Sequence, residues 1–298
     1  MASEQFVAFQ EKMAANPVPP PAKDIVELRA RIDGAMSQLP LAAGTSAVAV
    51  DVNGVEAFLE MREGGDDDPL VIYFHGGGYR IASAIAYRAY CSHFAARAGV
   101  RVLNVHYRLA PEHPFPAAVD DALSAYRWAL DNGTPSSRIV LAGDSAGGGL
   151  TAAALVAIRD SSLDAPAGGI CLSPWVDLTN TNETYTTRSS ADKLFSLASA
   201  TEASGLYLNG QDPKLPLASP IFADLTGLPP LLILVGDAEV LLDDSRKLAE
   251  RASAAGVPNE LFVYAEMPHV WMLNYPAYPE AAQAFDQMAA FVARVTRK

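Results

Sequence analysis

The composition of this 298-residue chain limits the classes of protein to which it can belong. A net charge of −12 without a basic cluster argues against nucleic-acid binding. No apolar stretch approaches the ~18 residues that a membrane-spanning helix needs, whereas half of the residues are hydrophobic, enough for a large buried core.

The cysteines and the first residues give expectations about compartment and cofactors. Cys91 and Cys171 lie in apolar segments, outside any C-x-x-C or zinc-ligand spacing, so they are expected to be buried free thiols and no metal site is expected. The start of the chain lacks the basic stretch and apolar run of a signal peptide, and no dinucleotide fingerprint occurs. We therefore expect a cytoplasmic protein without a cofactor.

The first predicted elements are two helices and a hairpin. Apolar residues at helical spacing predict amphipathic helices over residues 3–15 and about 24–36. Two β-like runs, 47–52 and 55–59, are joined by Asn53-Gly54, which is typical of a hairpin. The helices could simply pack on the surface, or they could form part of a lid over a pocket.

From residue 70 onward, short apolar runs alternate with helical patterns. Strands are predicted over 70–74, 102–105, 139–142, 170–173, 231–235 and 261–264. Helices are predicted over 85–98, 117–132, 148–158, 242–255 and 281–295. Connections of this length permit parallel crossovers, so the pattern predicts an α/β fold with a doubly wound, mostly parallel sheet that the hairpin makes mixed. Residues 180–214 change periodicity and are interpreted as an excursion outside the sheet.

The central motif is Gly143-Asp144-Ser145-Ala146-Gly147, a G-x-S-x-G pattern between a predicted strand and a predicted helix. In that context the serine lies at a sharp, strained turn that exposes its hydroxyl, and the helix N-terminus supplies backbone N–H groups. Three other interpretations compete. The segment could be only a tight turn, a phosphate loop would need a lysine that is missing, and a trypsin-like protease places its histidine and aspartate before the serine.

Polar residues after other predicted strands decide between these interpretations, because loops at the carboxyl ends of parallel strands share one edge of the sheet. An acidic loop follows strand 231–235, and His269 follows the last strand. The order serine, acid, histidine is that of an α/β-hydrolase triad, in which an imidazole takes the serine proton and a carboxylate orients the imidazole. The residues alone leave four candidates for the acid: Asp237, Glu239, Asp243 and Asp244.

Glycines after the strand at 70–74 suggest an oxyanion site. The segment His75-Gly76-Gly77-Gly78 has an accessible main chain, and Ala146 follows the serine. Backbone N–H groups at such positions stabilise an oxyanion by ~3 kcal/mol each. His75 is expected to hold its loop by hydrogen bonds rather than to transfer protons.

Several motifs in order carry a resemblance to a known family: His75 to Gly78, Tyr107 to Ala117 (Y-R-L-A-P-E-H-P-F-P-A), Gly143 to Gly147, and Met267-Pro268-His269. From about Leu70 to His269, the chain resembles the hormone-sensitive lipase-like group of α/β-hydrolases, in its bacterial carboxylesterase branch. The resemblance implies an α/β-hydrolase fold with a helical cap, Ser145 as the nucleophile and His269 as the base.

The resemblance also implies an acid and a set of oxyanion donors. The family's acid commonly lies in a D-x-L-x-D pattern, which fits residues 239–243 and so implies Glu239, with Asp237 as the fallback. The sequence departs from that pattern because Glu239 stands where the family has Asp. The side chain is one methylene longer and fits if the backbone of its loop lies slightly farther away. The implied oxyanion donors are Gly77, Gly78 and the N–H of Ala146.

The same resemblance divides the chain into four segments of one structural unit. Residues 1–45 are the N-terminal part of the cap and 180–214 are a cap insertion, while 46–179 and 215–298 form the catalytic core. Candidate residues for an apolar substrate pocket are Tyr79, Trp175, Phe195, Leu206 and Tyr207. The alternative is that these side chains simply pack the cap.

The expected function is that of a serine carboxylesterase acting on small-molecule esters with short to medium chains. A lactone hydrolase, an amidase or an acyltransferase could use the same triad, because fold and triad fix the reaction type better than the substrate. A non-catalytic ligand-binding protein on the same fold is the remote alternative. A homodimer is expected from the family resemblance only.

Overall fold

The computed structural model describes residues 2–17 and 20–297. Met1, Val18 and Pro19, in the predicted N-terminal segment, and Lys298, in the last one, lie outside the described residues. Within the described part, no helix is both long enough and apolar enough to cross a membrane.

A central sheet organises the chain. Its strands are β1 (Thr45–Asp51), β2 (Glu56–Arg62), β3 (Leu70–Phe74), β4 (Arg101–Val105), β5 (Ile139–Asp144), β6 (Gly168–Leu172), β7 (Leu231–Gly236) and β8 (Asn259–Tyr264). Their order is β1-β2-β4-β3-β5-β6-β7-β8. β1 and β2 pair antiparallel, as do β2 and β4, and the remaining neighbours pair parallel. The predicted mixed, mostly parallel sheet is confirmed.

Helices cover both faces of this sheet, as predicted. They are α1 (Glu4–Ala14), α2 (Ile25–Met36), α3 (Ala84–Ala98), α4 (Ala117–Asp131), α5 (Ala146–Asp160), α6 (Thr184–Thr187), α7 (Leu197–Leu208), α8 (Leu242–Ala254) and α9 (Pro279–Val295). β3 is buried throughout, with Ile72 and Phe74 packing toward α4, α5 and α8, and Val71 and Tyr73 toward α3 and α9. A continuous apolar run is what a strand buried on both faces requires.

Helix α2 is tied to the loops at the carboxyl edge of the sheet. Asp24 caps its first turn by accepting a hydrogen bond from Glu27 N. Arg29 donates from Nε to the carbonyl of Arg80 at 2.7 Å and forms a two-pronged ion pair with Glu112 at 2.8 Å. These contacts hold α2 beside the loop that follows β3, where the glycine motif lies.

Candidate active site

Ser145 lies at a sharp turn between β5 and α5. Its backbone has φ 54° and ψ −120°, a strained conformation for a residue with a side chain, and the side chain is almost fully buried. Helix α5 also approaches the neighbouring strand β3 so closely that a Cβ on Gly147 would lie 1.9 Å from the carbonyl oxygen of Phe74. Glycine is therefore required there, and the turn lifts the Ser145 hydroxyl to the edge of the sheet.

Three residues from three loops form one hydrogen-bonded chain. His269 Nε2 lies 2.9 Å from Ser145 Oγ, and His269 Nδ1 lies 2.6 Å from Glu239 Oε2. All three side chains are buried, with Glu239 fully excluded from solvent. Because the carboxylate only accepts, Nδ1 carries a proton, which leaves Nε2 free to accept the proton of Ser145.

The second oxygen of the Glu239 carboxylate is also held. Glu239 Oε1 accepts hydrogen bonds from Ser173 Oγ and from Gly236 N, both at 2.7 Å. Ser173 Oγ in turn accepts from Val270 N at 3.3 Å, next to His269. Both oxygens of this carboxylate are thus fixed, and Ser173 bridges the segments that carry Glu239 and His269.

The other acidic candidates are occupied elsewhere. Asp237 accepts a hydrogen bond from Glu266 N at 2.6 Å, and Asp243 lies near Arg246 at 3.5 Å. Asp244 is buried and accepts from the backbone N–H groups of Val176 and Asp177. Of the four acids, Glu239 is the one hydrogen-bonded to His269.

The environment of His269 suits proton transfer near neutral pH. Burial alone would lower its pKa, but the charge of Glu239 and the hydrogen bond to it outweigh burial and raise the pKa above its ordinary value of 6.5. A general base works best when its pKa lies near the operating pH.

The glycine loop after β3 faces Ser145. Gly77 has φ +113°, and a Cβ there would lie 2.2 Å from the carbonyl oxygen of Ile81, so no other residue fits without moving the loop. Gly77 and Gly78 line a cavity together with Ser145 and His269. Ala146 is the first residue of α5, so its N–H has no carbonyl partner within the helix.

Asp144, beside the serine, anchors this loop from beneath. Its carboxylate accepts hydrogen bonds from Gly76 N at 3.0 Å and from the hydroxyls of Tyr73 and Tyr87, each at 2.9 Å. Burial raises the pKa of Asp144 to about 6, and the two tyrosine hydrogen bonds limit the rise. His75 donates from Nδ1 to the carbonyl of Gly76 at 2.7 Å, and burial lowers its pKa to about 3, so it remains neutral and structural.

The cavity over Ser145 has a volume of ≈ 320 Å³. Most of its wall is apolar, which suits an uncharged organic ligand. Side chains come from both segments predicted to form the cap: Ile32 and Met36 from α2, and Leu194, Phe195, Ser199 and Ala203 from residues 180–214.

Of the five predicted pocket residues, only Phe195 is part of this wall, and its ring stacks on that of His269 at a centroid distance of 5.6 Å. Tyr79 and Tyr207 stack on each other at 3.8 Å and are buried. Trp175 is buried behind Phe195, and Leu206 packs against the core. These four side chains contact other aromatic or core residues and do not line the cavity. For them the alternative given above applies, that they simply pack the protein interior.

Besides most of the cavity wall, the sequence analysis missed two polar residues that hold the site together, Ser173 and Asp144. Ser173 directly follows β6, and its position at the carboxyl end of a parallel strand was the available signal. Asp144 lies inside the G-x-S-x-G motif, where a charged residue at the end of a buried strand demands partners.

Comparison with known proteins places the chain in a family. The alpha/beta hydrolase fold family matches residues 71–273. The crystal structure of an esterase from the bacterial hormone-sensitive lipase family is 43% identical, with a TM-score of 0.93 over 100% of both chains. The chain belongs to the hormone-sensitive lipase-like family of α/β-hydrolases.

Relatives of this α/β-hydrolase are named for ester hydrolysis. An acetyl-hydrolase from Streptomyces hygroscopicus is 45% identical over 79% of each chain, and an esterase from Acinetobacter venetianus is 35% identical over 74% of each. The crystal structure of EstE5 soaked with p-nitrophenyl butyrate is 39% identical, with a TM-score of 0.93 over 99% of each chain. These relatives support carboxylic ester hydrolase activity of the α/β-hydrolase type for this chain.

Proposed function

We propose that the protein is a serine carboxylesterase that hydrolyses esters with short to medium chains through an acyl-enzyme on Ser145. The observation that carries this proposal is the continuous hydrogen-bonded chain from Ser145 Oγ through His269 to Glu239, at 2.9 Å and 2.6 Å. In it Ser145 is the nucleophile, His269 the general base and Glu239 the acid.

In the first half-reaction, Ser145 Oγ attacks the ester carbonyl carbon while His269 Nε2 takes its proton. Glu239 stabilises the imidazolium that forms and keeps the ring oriented. When the tetrahedral intermediate collapses, the bond to the alcohol oxygen breaks and His269 returns its proton to that oxygen. The alcohol leaves, and the acyl group remains on Ser145.

In the second half-reaction, water attacks the acyl carbon while His269 Nε2 takes a proton from it. Collapse of the second intermediate returns that proton to Ser145 Oγ and releases the carboxylic acid. In both halves the oxyanion accepts hydrogen bonds from the backbone N–H groups of Gly77, Gly78 and Ala146, each worth ~3 kcal/mol. The hydrogen bond from Gly76 N to Asp144 supports this role by fixing the glycine loop.

The cavity supports the proposed chain length. Its volume of ≈ 320 Å³ and its apolar wall favour a compact acyl or alcohol group over a triglyceride. Phe195, stacked on His269, takes up part of the cavity beside the proposed base.

The test is hydrolysis of p-nitrophenyl esters from acetate to palmitate by the wild type and by Ser145→Ala. We expect turnover to peak at short or medium chains and to vanish in the variant. Ser137→Ala, at an exposed position just before β5, is the matched control and should keep full turnover. Residual turnover in Ser145→Ala would overturn the proposal, and turnover of lactones or amides without ester turnover would move it to the alternative substrates.

Two further expectations belong with this proposal. A cytoplasmic location is supported by Cys91 and Cys171, which are both free and buried, as is usual where thiols stay reduced. Fractionation with thiol labelling under denaturing conditions would test it. The homodimer rests on the family resemblance, and analytical ultracentrifugation would test it.

A further inference from the structure

A second cavity adjoins the one over Ser145. It has a volume of ≈ 470 Å³ and lies between α1, α2, α3 and the segment after His269. Met36 and Leu273 belong to the walls of both cavities. The two spaces therefore adjoin at these two side chains.

The chemistry of the second cavity selects an apolar occupant. Its wall is mainly aliphatic and aromatic, with no acidic, lysine or arginine side chain among its lining residues. The polar groups there have partners: Tyr90 OH contacts Met288 Sδ at 3.8 Å, and Asn274 Nδ2 donates to the hydroxyl of Tyr278 at 3.1 Å. The ring of His93 packs edge-on against Tyr275. Such a wall offers dispersion contacts and little for an anion or a cation.

Met36 and Leu273, at the shared wall, can move aside for an alkyl chain that passes between them. Met36 ends helix α2, and Leu273 lies in the short turn four residues after His269; both are half-buried. Methionine has three rotatable bonds and adapts to irregular spaces at low cost. Neither side chain has a polar atom whose hydrogen bond would break on moving.

We propose that the second cavity binds the far end of an unbranched alkyl chain of the ester, which passes from the Ser145 cavity between Met36 and Leu273. This inference rests on the proposed function and deepens it, since it makes the second cavity the feature that extends the substrate range from short to medium chains. The alkyl chain can belong to the acid or to the alcohol of the ester, because an apolar wall makes the same dispersion contacts with either.

The test fills the second cavity from its outer end. Ala277 is exposed and lines the second cavity but not the one over Ser145, so Ala277→Trp is designed to fill the second cavity alone. Ala265→Trp, at an exposed position beside β8, is the matched control. Each protein is assayed with p-nitrophenyl esters from acetate to decanoate and with alkyl acetates from ethyl to decyl, which separates the acid side from the alcohol side.

If the cavity takes the acid side, Ala277→Trp should lower kcat/KM about tenfold for the p-nitrophenyl esters of octanoate and decanoate and less than about twofold for the acetate. If it takes the alcohol side, the same difference should separate octyl and decyl acetate from ethyl acetate. Met36→Ala should shift the optimum to longer chains, and adding Ala277→Trp to it should reverse that shift. Unchanged chain-length profiles in all variants, with acetate still hydrolysed, would overturn the inference and leave the proposed function standing. Loss of turnover for every ester in the wild type would instead overturn the proposed function.

Discussion

Replacing Asp144 by asparagine removes a buried acid and keeps its shape. The amide oxygen can still accept from Gly76 N and from Tyr73 OH, and the amide nitrogen can donate to Tyr87 OH, so the glycine loop keeps its anchor. What the variant loses is an ionisable group whose pKa burial raises from 3.8 to about 6. The prediction concerns the pH dependence of the free energy of unfolding.

The sign follows from proton linkage. Because folding raises the pKa of this carboxyl, the native state holds its proton more tightly than the unfolded chain does. Its stabilising contribution is complete below pH 3.8, is lost as the pH rises through about 6, and levels off at higher pH. The whole effect is ~3 kcal/mol, of which ~1 kcal/mol falls between about pH 5.5 and 8.

Urea unfolding of the wild type and of Asp144→Asn at those two pH values measures this effect. On going from pH 5.5 to pH 8, the wild type should lose ~1 kcal/mol of unfolding free energy relative to the variant. Asp131→Asn, at an exposed position, is the control and should track the wild type. Equal slopes for wild type and Asp144→Asn, or a relative gain by the wild type, would show that the hydrogen bonds outweigh burial and that the reasoning is wrong.

Three further predictions concern catalysis of p-nitrophenyl acetate hydrolysis. Glu239→Gln should lower kcat ~10³- to 10⁴-fold because the imidazole loses its orienting carboxylate. Asp237→Asn should change kcat less than about threefold. The reverse ranking of the two variants would make Asp237 the acid. Gly77→Ala should lower kcat about 100-fold by displacing the glycine loop. The control Gly54→Ala, also at positive φ but in open space, should affect only stability. Equal activity of the two variants would exclude the glycine loop as the oxyanion site. The midpoint of the acid limb of the kcat/KM profile should lie above pH 6.5, because His269 must be neutral to act and its pKa is raised. Glu239→Gln should move that midpoint to lower pH. An unmoved midpoint would mean that another group titrates.

The sheet and its helices could be predicted because their signals are local. The apolar run at 70–74 and the hairpin signal Asn53-Gly54 both lie where the structure has β3 and the β1–β2 turn, with antiparallel pairing from Thr45 to Arg62. The order of serine, acid and histidine along the chain likewise needs only the rule that such residues follow parallel strands.

The choice of acid and the wall of the cavity could not be derived from the residues alone. Asp237 and Glu239 both follow β7, and only the path of the loop directs Glu239 toward His269. The stacking of Tyr79 on Tyr207 removes two large side chains from the cavity, and it joins residues far apart in the sequence. Such contacts depend on tertiary packing, which no local pattern encodes.

The most direct measurement of the central claim is the mass of the acyl-enzyme. The wild type is mixed with p-nitrophenyl butyrate, quenched with acid during turnover, digested and analysed by mass spectrometry. The account predicts a butyryl group on the peptide that contains Ser145, and none on that peptide from Ser145→Ala. A butyryl group on a different residue, or turnover at full rate without any acylated peptide, would contradict it.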